Sequence, residues 1–257
     1  MRVIVTRPAA QAASWVAQLQ GRGIDAVALP LIGIAAPVDA PAVRAAWNGL
    51  DRQRLVFFVS PNAAEWFFAS APQPGAWPAQ VQAASPGPGT SEVLRRLGVP
   101  ASLIVEPPAD AAQFDSESLW SVLQTQAWPG AAVLVVRGDG GRDWLAEQLR
   151  RCGANLGFVS AYRRVPARID GVDLDLLQAA LATPEAHLWF FSSSQAIARL
   201  GNLPAVRAVP QPWARSQALA THPRIAEQAR RAGFGQVLAS RPTLDAVVAC
   251  IQSTHRE

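Results

Sequence analysis

An internal repeat constrains the fold of this 257-residue chain more than any other feature of its sequence. The segment Val5–Pro8 resembles Val135–Gly138, and each lies at the end of a short apolar run. In both copies a glycine follows the arginine after 16 positions, at Gly23 and at Gly153. A repeat of this kind is one structural unit used twice. This match therefore predicts two halves of similar architecture.

Two further pairs of segments extend the repeat. Leu55–Ala63 resembles Leu188–Ala196, since both have an aromatic pair followed by small polar residues. Gly87–Thr90 corresponds to His222–Ile225, because the last residue of each lies eight positions before a glycine. The matches occur in the same order in both halves, which predicts a true two-copy architecture.

Short apolar runs alternate with amphipathic stretches in each copy, which is typical of buried strands and surface helices. Predicted strands occupy 2–6, 26–29, 55–59, 81–84, 102–105, 132–136, 156–161, 187–192, 216–220 and 236–239. Predicted helices include 9–21, 61–69, 90–97 and 113–126, with Ser60-Pro61 as a favourable helix start. This order predicts an α/β fold of two similar parallel-sheet lobes with helices on both faces. Ligands of such sheets bind at the carboxyl ends of the strands.

Two equivalent segments indicate how the lobes connect. Ile32 and Tyr162 each lie 25 positions after the arginine of their own copy, and each precedes a proline. If both segments cross between lobes, the middle of the chain is inserted into the outer part. The alternative is two sequential halves divided near 110–128. The repeat alone leaves both arrangements open.

Charge and composition limit the classes of partner. The net charge is +4, and all 23 basic residues are arginine. Arginine grips carboxylates and phosphates through paired hydrogen bonds, so an anionic partner is plausible. The arginines are scattered without interleaved aromatics, so we expect no nucleic acid partner. No apolar run has the length of a membrane span, and the start shows no export signal, so we expect a cytoplasmic protein without membrane contact.

Metal and nucleophile chemistry are poorly supported by the sequence. The histidines and cysteines form no pair at zinc spacing, so we expect no metal. His187 lies in an apolar strand and is interpreted as structural, and both cysteines are interpreted as small core residues. The histidines of the chain are His187, His222 and His255, and its cysteines are Cys152 and Cys250.

Two loop motifs have weak functional signals of their own. Ser192–Ser194 lacks the partners of a nucleophile elbow and is interpreted as a loop and helix cap first, and as a set of ligand donors second. Arg137–Arg142 contains three glycines after a strand but is neither a Walker loop nor a full dinucleotide fingerprint. The remaining features are loops with arginines, amides and hydroxyls, which suit a polyanionic small molecule between two lobes.

These motifs together resemble the uroporphyrinogen-III synthase family over essentially the full length. The resemblance implies a bilobal α/β fold with the second lobe inserted into the first. Lobe one would comprise 1–34 and 168–257, and lobe two would comprise 37–163. A two-stranded linker would use 31–37 and 162–167. The segments that carry the resemblance are Thr6–Pro8, Phe58–Ala63, Gly87–Thr90, Arg137–Gly138, Gly141–Arg142, Tyr162–Arg164, Phe190–Ser194 and His222–Ala226, the last before Gly233.

The resemblance also implies a reaction. The substrate would be hydroxymethylbilane, a linear tetrapyrrole polycarboxylate that loses water and closes with its last pyrrole ring inverted. The enzyme would be a cyclising hydro-lyase without metal or organic cofactor, and we expect a monomer. Orientation of the bilane would supply most of the catalysis. The alternative is a non-catalytic two-lobe binding protein for an anionic small molecule.

Candidate site residues follow from the same motifs. Tyr162 matches a tyrosine of the family and is the candidate acid or orienting group, with packing at the lobe junction as the equal alternative. For Thr90, a helix N-cap is preferred over a carboxylate contact. For Arg7 and Arg137, surface salt bridges are almost as good an interpretation as substrate contacts. Some relatives carry Gly-Pro-Thr-Thr where this chain has His222–Ile225, so threonine roles there are not carried over. Predicted substrate-binding residues are Thr6, Arg7, Ser60, Asn62, Gly89, Thr90, Arg137, Gly138, Ser192, Ser193, Ser194, Thr221, His222 and Arg224.

Overall fold

The computed structural model describes residues 1–71 and 77–254, and His255 lies outside this part of the chain. The chain divides into two compact units. Unit 1 comprises Met1–Gly33 and Val165–Glu257, and unit 2 comprises Ile34–Arg164. In chain order, unit 2 is therefore inserted into unit 1. The lobe limits expected from the sequence stay a prediction.

Unit 1 is built on a parallel sheet. The strand order is β11-β10-β9-β1-β2, and each neighbouring pair is parallel. Its strands are β1 Arg2–Val5, β2 Ala26–Ala28, β9 His187–Phe191, β10 Gln217–Ala220 and β11 Gln236–Ala239. Its helices are α1 Ala9–Gln20, α7 Gly171–Ala182, α8 Ser194–Gly201, α9 Pro204–Arg207, α10 Pro223–Arg231 and α11 Leu244–Ser253.

Unit 2 carries the second sheet, in the order β3-β8-β7-β4-β5-β6. Each neighbouring pair in the series β8-β7-β4-β5-β6 is parallel. Its strands are β3 Ile32–Ala35, β4 Leu55–Phe58, β5 Gln82–Ala84, β6 Ile104–Val105, β7 Ala132–Gly138 and β8 Asn155–Pro166. Its helices are α2 Ala40–Asn48, α3 Pro61–Ala69, α4 Pro88–Arg96, α5 Ser116–Leu123 and α6 Trp144–Arg151. The unit boundaries fall within β3 and within β8.

The two copies of the repeat exchange their strands between the sheets. β1 of the first copy pairs with β9 of the second and carries β2 on its other side, and β4 to β6 of the first copy join β7 and β8 of the second through the pairing of β4 with β7. The alternative of two sequential halves divided near 110–128 is therefore wrong, because it would separate β4 from its hydrogen-bonded neighbour β7.

Buried apolar runs hold each sheet in place. All residues of β4 and of β9 are buried, as expected for central parallel strands that are covered on both faces. In unit 2, Phe58 packs edge-on against Phe67 with ring centroids 5.7 Å apart. In unit 1, Trp189 stacks on Phe191 at 6.2 Å. The first contact fixes α3 against β4, whereas the second lies within β9, and both strands end next to candidate residues.

Helix boundaries agree with the sequence at some positions and differ at others. Ser60 caps α3 as predicted, since its hydroxyl accepts a hydrogen bond from the Ala63 N–H at 3.2 Å. The helix predicted over 113–126 is shorter, because the Asp115 carboxylate accepts from the Ser118 N–H and starts α5 at Ser116. The strand predicted over 102–105 is reduced to β6, since 101–103 forms a 3₁₀ turn.

The preferred role of Thr90 as a helix cap is wrong. Pro88 occupies the first position of α4, and Gly87 is the N-cap residue. Proline lacks an N–H and has the φ angle that a first helical turn needs, so the helix begins two residues earlier than predicted. Thr90 lies inside the first turn and is buried.

Within residues 1–71 and 77–254, no helix combines the length and apolar character that a membrane crossing requires.

Candidate functional site

The candidate residues occupy the same relative place in both units, just beyond the carboxyl ends of parallel strands. In unit 1 they follow β1, β9 and β10, and in unit 2 they follow β4 and β5, lie at the end of β7, or lie within β8 opposite the end of β7. This edge is where open parallel sheets bind ligands. The unit 1 set is Thr6, Arg7, Ser192, Ser193, Ser194, Thr221, His222 and Arg224, and the unit 2 set is Ser60, Asn62, Gly89, Thr90, Arg137, Gly138 and Tyr162.

Arg7 of unit 1 is a half-buried cation held against aromatic rings. Its guanidinium carbon lies 4.9 Å from the Trp15 ring centroid and 5.8 Å from that of Phe190. Nη1 donates to the Gln11 amide oxygen at 3.4 Å, whereas Nε is buried without a hydrogen-bond partner among the described residues. Burial lowers the pKa of the Arg7 guanidinium to about 10. The side chain is therefore still charged at neutral pH and has an N–H available for an anion.

We expect Arg7→Met to raise the thermal stability of the protein. Because the pKa of Arg7 is lower in the folded than in the unfolded chain, folding disfavours the charged form throughout the range below pH ~10. Removal of the guanidinium abolishes a desolvation penalty of roughly 3 kcal/mol, whereas loss of the cation–π contacts costs ~1–2 kcal/mol. A net gain of about 1 kcal/mol should raise the Tm by ~2–4 °C.

Differential scanning calorimetry of Arg7→Met, with Arg44→Met as the control for an exposed arginine, measures this effect. The control should stay within ~0.5 kcal/mol of the parent. A Tm several degrees below that of the control would mean that the aromatic contacts outweigh desolvation.

The other unit 1 candidates hold local structure. The buried Thr6 hydroxyl donates to the Phe190 carbonyl at 2.8 Å and ties β1 to β9. Ser193 caps α8 by accepting from the Gln195 N–H at 3.2 Å, so the interpretation of the serine run as a helix cap is confirmed for this residue. His222 caps α10, and its Nδ1 accepts from the Arg224 N–H at 3.1 Å. A neutral imidazole that accepts at Nδ1 carries its proton on Nε2.

Tyr162 of unit 2 is completely buried and tightly packed. The register of β7 and β8 shifts between Arg137 and Gly138, so that Gly138 lies directly opposite Tyr162. A Cβ added to Gly138 would lie 2.8 Å from the Tyr162 Cζ atom, closer than side chains tolerate. Only glycine therefore lets the ring lie across β7 at this point.

A hydrogen-bond chain leads from Arg164 through Tyr162 to Ser60. The Arg164 Nη2 atom donates to the phenol oxygen at 3.1 Å, and the phenol lies 3.2 Å from the Ser60 Oγ atom. Either hydroxyl can donate in this contact; since the phenol oxygen already accepts from Arg164, donation from the phenol to Ser60 is the arrangement that satisfies the buried Tyr162 proton. Ser60 Oγ then accepts from both Tyr162 and the Ala63 N–H, which leaves the serine proton free to point toward a ligand.

Arg137 lies at the carboxyl end of β7 in unit 2, and Arg7 follows the carboxyl end of β1 in unit 1. The Arg137 guanidinium lies 4.7 Å from the Phe158 ring centroid, forms an ion pair with Asp143, and keeps a buried Nε without a partner among the described residues. Arg142 makes a two-pronged ion pair with Glu117 through hydrogen bonds of 2.6 Å. This pairing holds the pKa of the Glu117 carboxyl below its ordinary value.

A cavity of about 180 Å³ lies at this edge of unit 2. Its lining brings together side chains from three strands and two helices, and it includes three arginines: Arg137, Arg142 and Arg164. The glycine loop is also part of the wall, with Gly140 and Gly141 at φ angles of 99° and 148°. The loop within Arg137–Arg142, which matches neither a Walker loop nor a full dinucleotide fingerprint, therefore borders a cationic cavity.

The remaining unit 2 candidates lie near helix starts. Asn62 is half-buried in the first turn of α3. Gly89 is exposed with open space around it, and Thr90 is buried one residue later. Neither residue of α4 contacts the Tyr162 phenol through any hydrogen bond found in the described part of the chain.

Sequence reasoning missed Arg164 as a site residue. Strand residues two positions apart lie on the same face of a sheet, so Tyr162 implied that Arg164 would share its face. Arg164 also belongs to the segment Tyr162–Arg164 that carries the family resemblance, but it was not included among the predicted site residues. Phe158, which covers Arg137, had no comparable signal, because its contact depends on the pairing of β7 with β8.

The structure contradicts the interpretation of Cys152 as a core residue and supports the structural interpretations of Cys250 and His187. Cys152 is exposed at the end of α6, where the chain turns at Gly153, so its interpretation as a core residue is wrong. Cys250 is half-buried, and burial raises the pKa of its thiol, which disfavours the thiolate. His187 is buried, with Nδ1 at 3.0 Å from the Thr183 carbonyl oxygen, as a structural histidine requires.

These features define a class of protein: a two-unit α/β protein with parallel strands and with arginine and hydroxyl side chains at its sheet edges. Among the described residues, no group of three or more His, Cys, Asp or Glu side chains could hold a metal ion. Such a site suits a small organic anion and proton transfer by hydroxyl groups.

Comparison with known proteins identifies the family. The family model described as uroporphyrinogen-III synthase HemD matches residues 13–249. Similar proteins include the uroporphyrinogen-III synthases of Salmonella typhimurium, 28% identical over 67% of this chain and 69% of that protein, and of Escherichia coli, 25% identical over 98% and 100%. The crystal structure of a mutant uroporphyrinogen III synthase from the extremely thermophilic bacterium Thermus thermophilus has the same fold, with a TM-score of 0.59, 16% identity and coverage of 100% and 98%. The chain belongs to the uroporphyrinogen-III synthase family, and it is an enzyme.

Proposed function

We propose that this chain is a cyclising hydro-lyase that converts hydroxymethylbilane to uroporphyrinogen III. The observation that carries the proposal is the Arg164–Tyr162–Ser60 chain at the sheet edge of unit 2, in a member of this family. Loss of the hydroxymethyl oxygen as water needs a proton, and the chain presents a hydroxyl proton backed by a phenol and a guanidinium. We further propose that the enzyme acts in the cytoplasm as a monomer, without metal or organic cofactor.

The acid step uses groups of unit 2. The Ser60 hydroxyl donates its proton to the leaving hydroxyl of the bilane, while Tyr162 returns a proton to Ser60. The C–O bond breaks, water departs, and the bilane keeps the positive charge. The negative charge that develops on the Tyr162 oxygen lies beside the Arg164 guanidinium, which stabilises it. Return of a proton from the closing macrocycle restores the phenol.

Binding of the bilane relies on charge and position. Arg7 and Arg137 both carry a buried Nε that has no hydrogen-bond partner among the described residues, and each suits a carboxylate arm. Because the bilane also closes without a catalyst to the uninverted type I isomer, the enzyme must fix one folded geometry of the chain. The hydroxyls of Ser60 and Tyr162 at the sheet edge of unit 2 serve this orientation.

An isomer assay tests the proposed function. Hydroxymethylbilane is generated with the preceding enzyme of the pathway, this protein is added, and the oxidised products are separated by chromatography. We expect predominantly type III uroporphyrin. Type I alone, at the rate of the protein-free control, would reject the proposal for a folded sample. Binding of bilane without conversion would favour the non-catalytic alternative, which family membership does not favour.

A further inference from the structure

The three arginines of the unit 2 cavity differ in how their charge is balanced. Arg137 is paired with Asp143, and Arg142 is paired with Glu117. Arg164 has no carboxylate within ion-pair distance in the part of the chain that the structure describes. The cavity therefore holds one guanidinium whose charge lacks an adjacent counter-charge.

The donors of Arg164 are also largely unused. A guanidinium has five N–H groups in a fixed plane. Among the described residues, the Arg164 guanidinium has one hydrogen-bond acceptor, the Tyr162 oxygen, which accepts from Nη2. The Arg164 backbone N–H is held by the Asp139 carboxylate at 2.9 Å, which anchors the end of β8. The side chain is thus positioned while most of its donors remain available.

From this arrangement we infer that the cavity is a subsite for one carboxylate group, bound by the Arg164 guanidinium. The inference rests on the proposed function, in which the carboxylate is an acetate or propionate arm of the tetrapyrrole. A planar carboxylate matches the paired N–H groups of arginine. A single unbalanced guanidinium suits one negative charge better than a phosphate dianion, and about 180 Å³ accommodates a short arm.

The position of Arg164 gives this subsite a second consequence. The same guanidinium touches the bound carboxylate on one side and the Tyr162 oxygen on the other. When the carboxylate arm binds, it therefore holds the Arg164 guanidinium in place, and this guanidinium donates the hydrogen bond that orients the Tyr162 phenol. This makes Arg164 a positioning residue for the acid step as well as a substrate ligand.

Fluorescence titration with uroporphyrin III, the stable oxidised product with the same carboxylate arms, tests the subsite. We expect Arg164→Gln to weaken binding at least about tenfold, as the loss of a charge-assisted hydrogen-bond pair requires. The matched control is Arg44→Gln, which removes an exposed arginine of α2 in the same unit and should change the Kd less than about twofold. Tyr162→Phe should also leave the Kd within about twofold of the parent while it lowers kcat.

The outcomes separate the subsite from the proposed function. If Arg164→Gln binds uroporphyrin III as tightly as Arg44→Gln, the subsite is wrong, whatever the isomer assay shows. If the parent protein forms only type I isomer but binding still depends on Arg164, the subsite stands and the proposed function fails. Competition by inorganic phosphate in the parent, absent in Arg164→Gln, would assign the cavity to phosphate and overturn the inference. Should Arg164→Gln fail to fold, Arg164→Lys keeps the charge but loses the planar fork, and a weakening of about threefold or more is then the expected result.

Discussion

Replacement of Tyr162 by phenylalanine is expected to lower kcat for type III formation by about 10²-fold. The substitution keeps the ring that packs on Gly138 and removes the oxygen that links Arg164 to Ser60. The KM should change little, because the phenol is buried and does not bind the carboxylate arms. Steady-state kinetics with chromatographic separation of the isomers measures both constants. Since Tyr162 is the single tyrosine of the chain, no other residue of its type can substitute.

The matched variant is Ser60→Asn, which removes the hydroxyl but keeps a side chain that caps helices well. If serine and tyrosine act in series, the double variant should be no slower than the slower single variant. Additive losses would mean two independent roles. Parental turnover in Tyr162→Phe would remove the acid role altogether and leave Tyr162 as a packing residue.

Replacement of Gly235 by alanine should destabilise unit 1 by about 3 kcal/mol. Gly235 lies between α10 and β11, where its N–H donates to the Trp213 carbonyl at 3.0 Å. A Cβ at this position would overlap the carbonyl oxygen of Ala214 and lie 3.0 Å from its carbonyl carbon. Both neighbours are backbone atoms and cannot rotate away, so the loop over 213–216 must move and pull Trp213 from its stacking contact with Phe234.

Thermal denaturation followed by tryptophan fluorescence should show a Tm lower by about 10 °C for Gly235→Ala. Gly201→Ala is the control, because Gly201 ends α8 in the same unit and a Cβ there meets no atom within 4 Å. The control should be neutral or more stable by up to ~1 kcal/mol, since alanine favours the helix. Equal Tm values for the two variants would contradict the prediction, because they would show that the 213–216 loop moves without a loss of stability.

Several elements were predictable from local sequence because the signals that define them are local. β4 is a continuous apolar run, β9 is one after its first residue His187, and α3 begins at a proline that follows a capping serine. Each of these depends on residues within a few positions of one another. The repeat added the expectation of two similar sheets, and the position of the candidate residues beyond strand ends followed from the parallel arrangement.

The pairing of strands was not fixed by those signals. Both an insertion and two sequential halves fitted the repeat, because the sequence of a strand does not show which other strand pairs with it. The choice came from hydrogen bonding between segments far apart in the chain, such as β1 with β9 and β4 with β7. Similarly, Thr90 and Cys152 were misplaced because a helix start and a helix face depend on the contacts that surround them.

The sequence by itself thus determined the α/β class, the two-copy pattern, the family and the tyrosine and arginines at the strand ends. Only the tertiary structure decided what those residues touch. The register shift at Gly138 buries Tyr162, places its oxygen between Arg164 and Ser60, and leaves Arg164 at the cavity without a carboxylate partner among the described residues. The physical reason is that secondary structure and repeats depend on near neighbours in the chain, whereas register, burial and charge balance depend on segments that are far apart in the sequence and meet only in the folded protein.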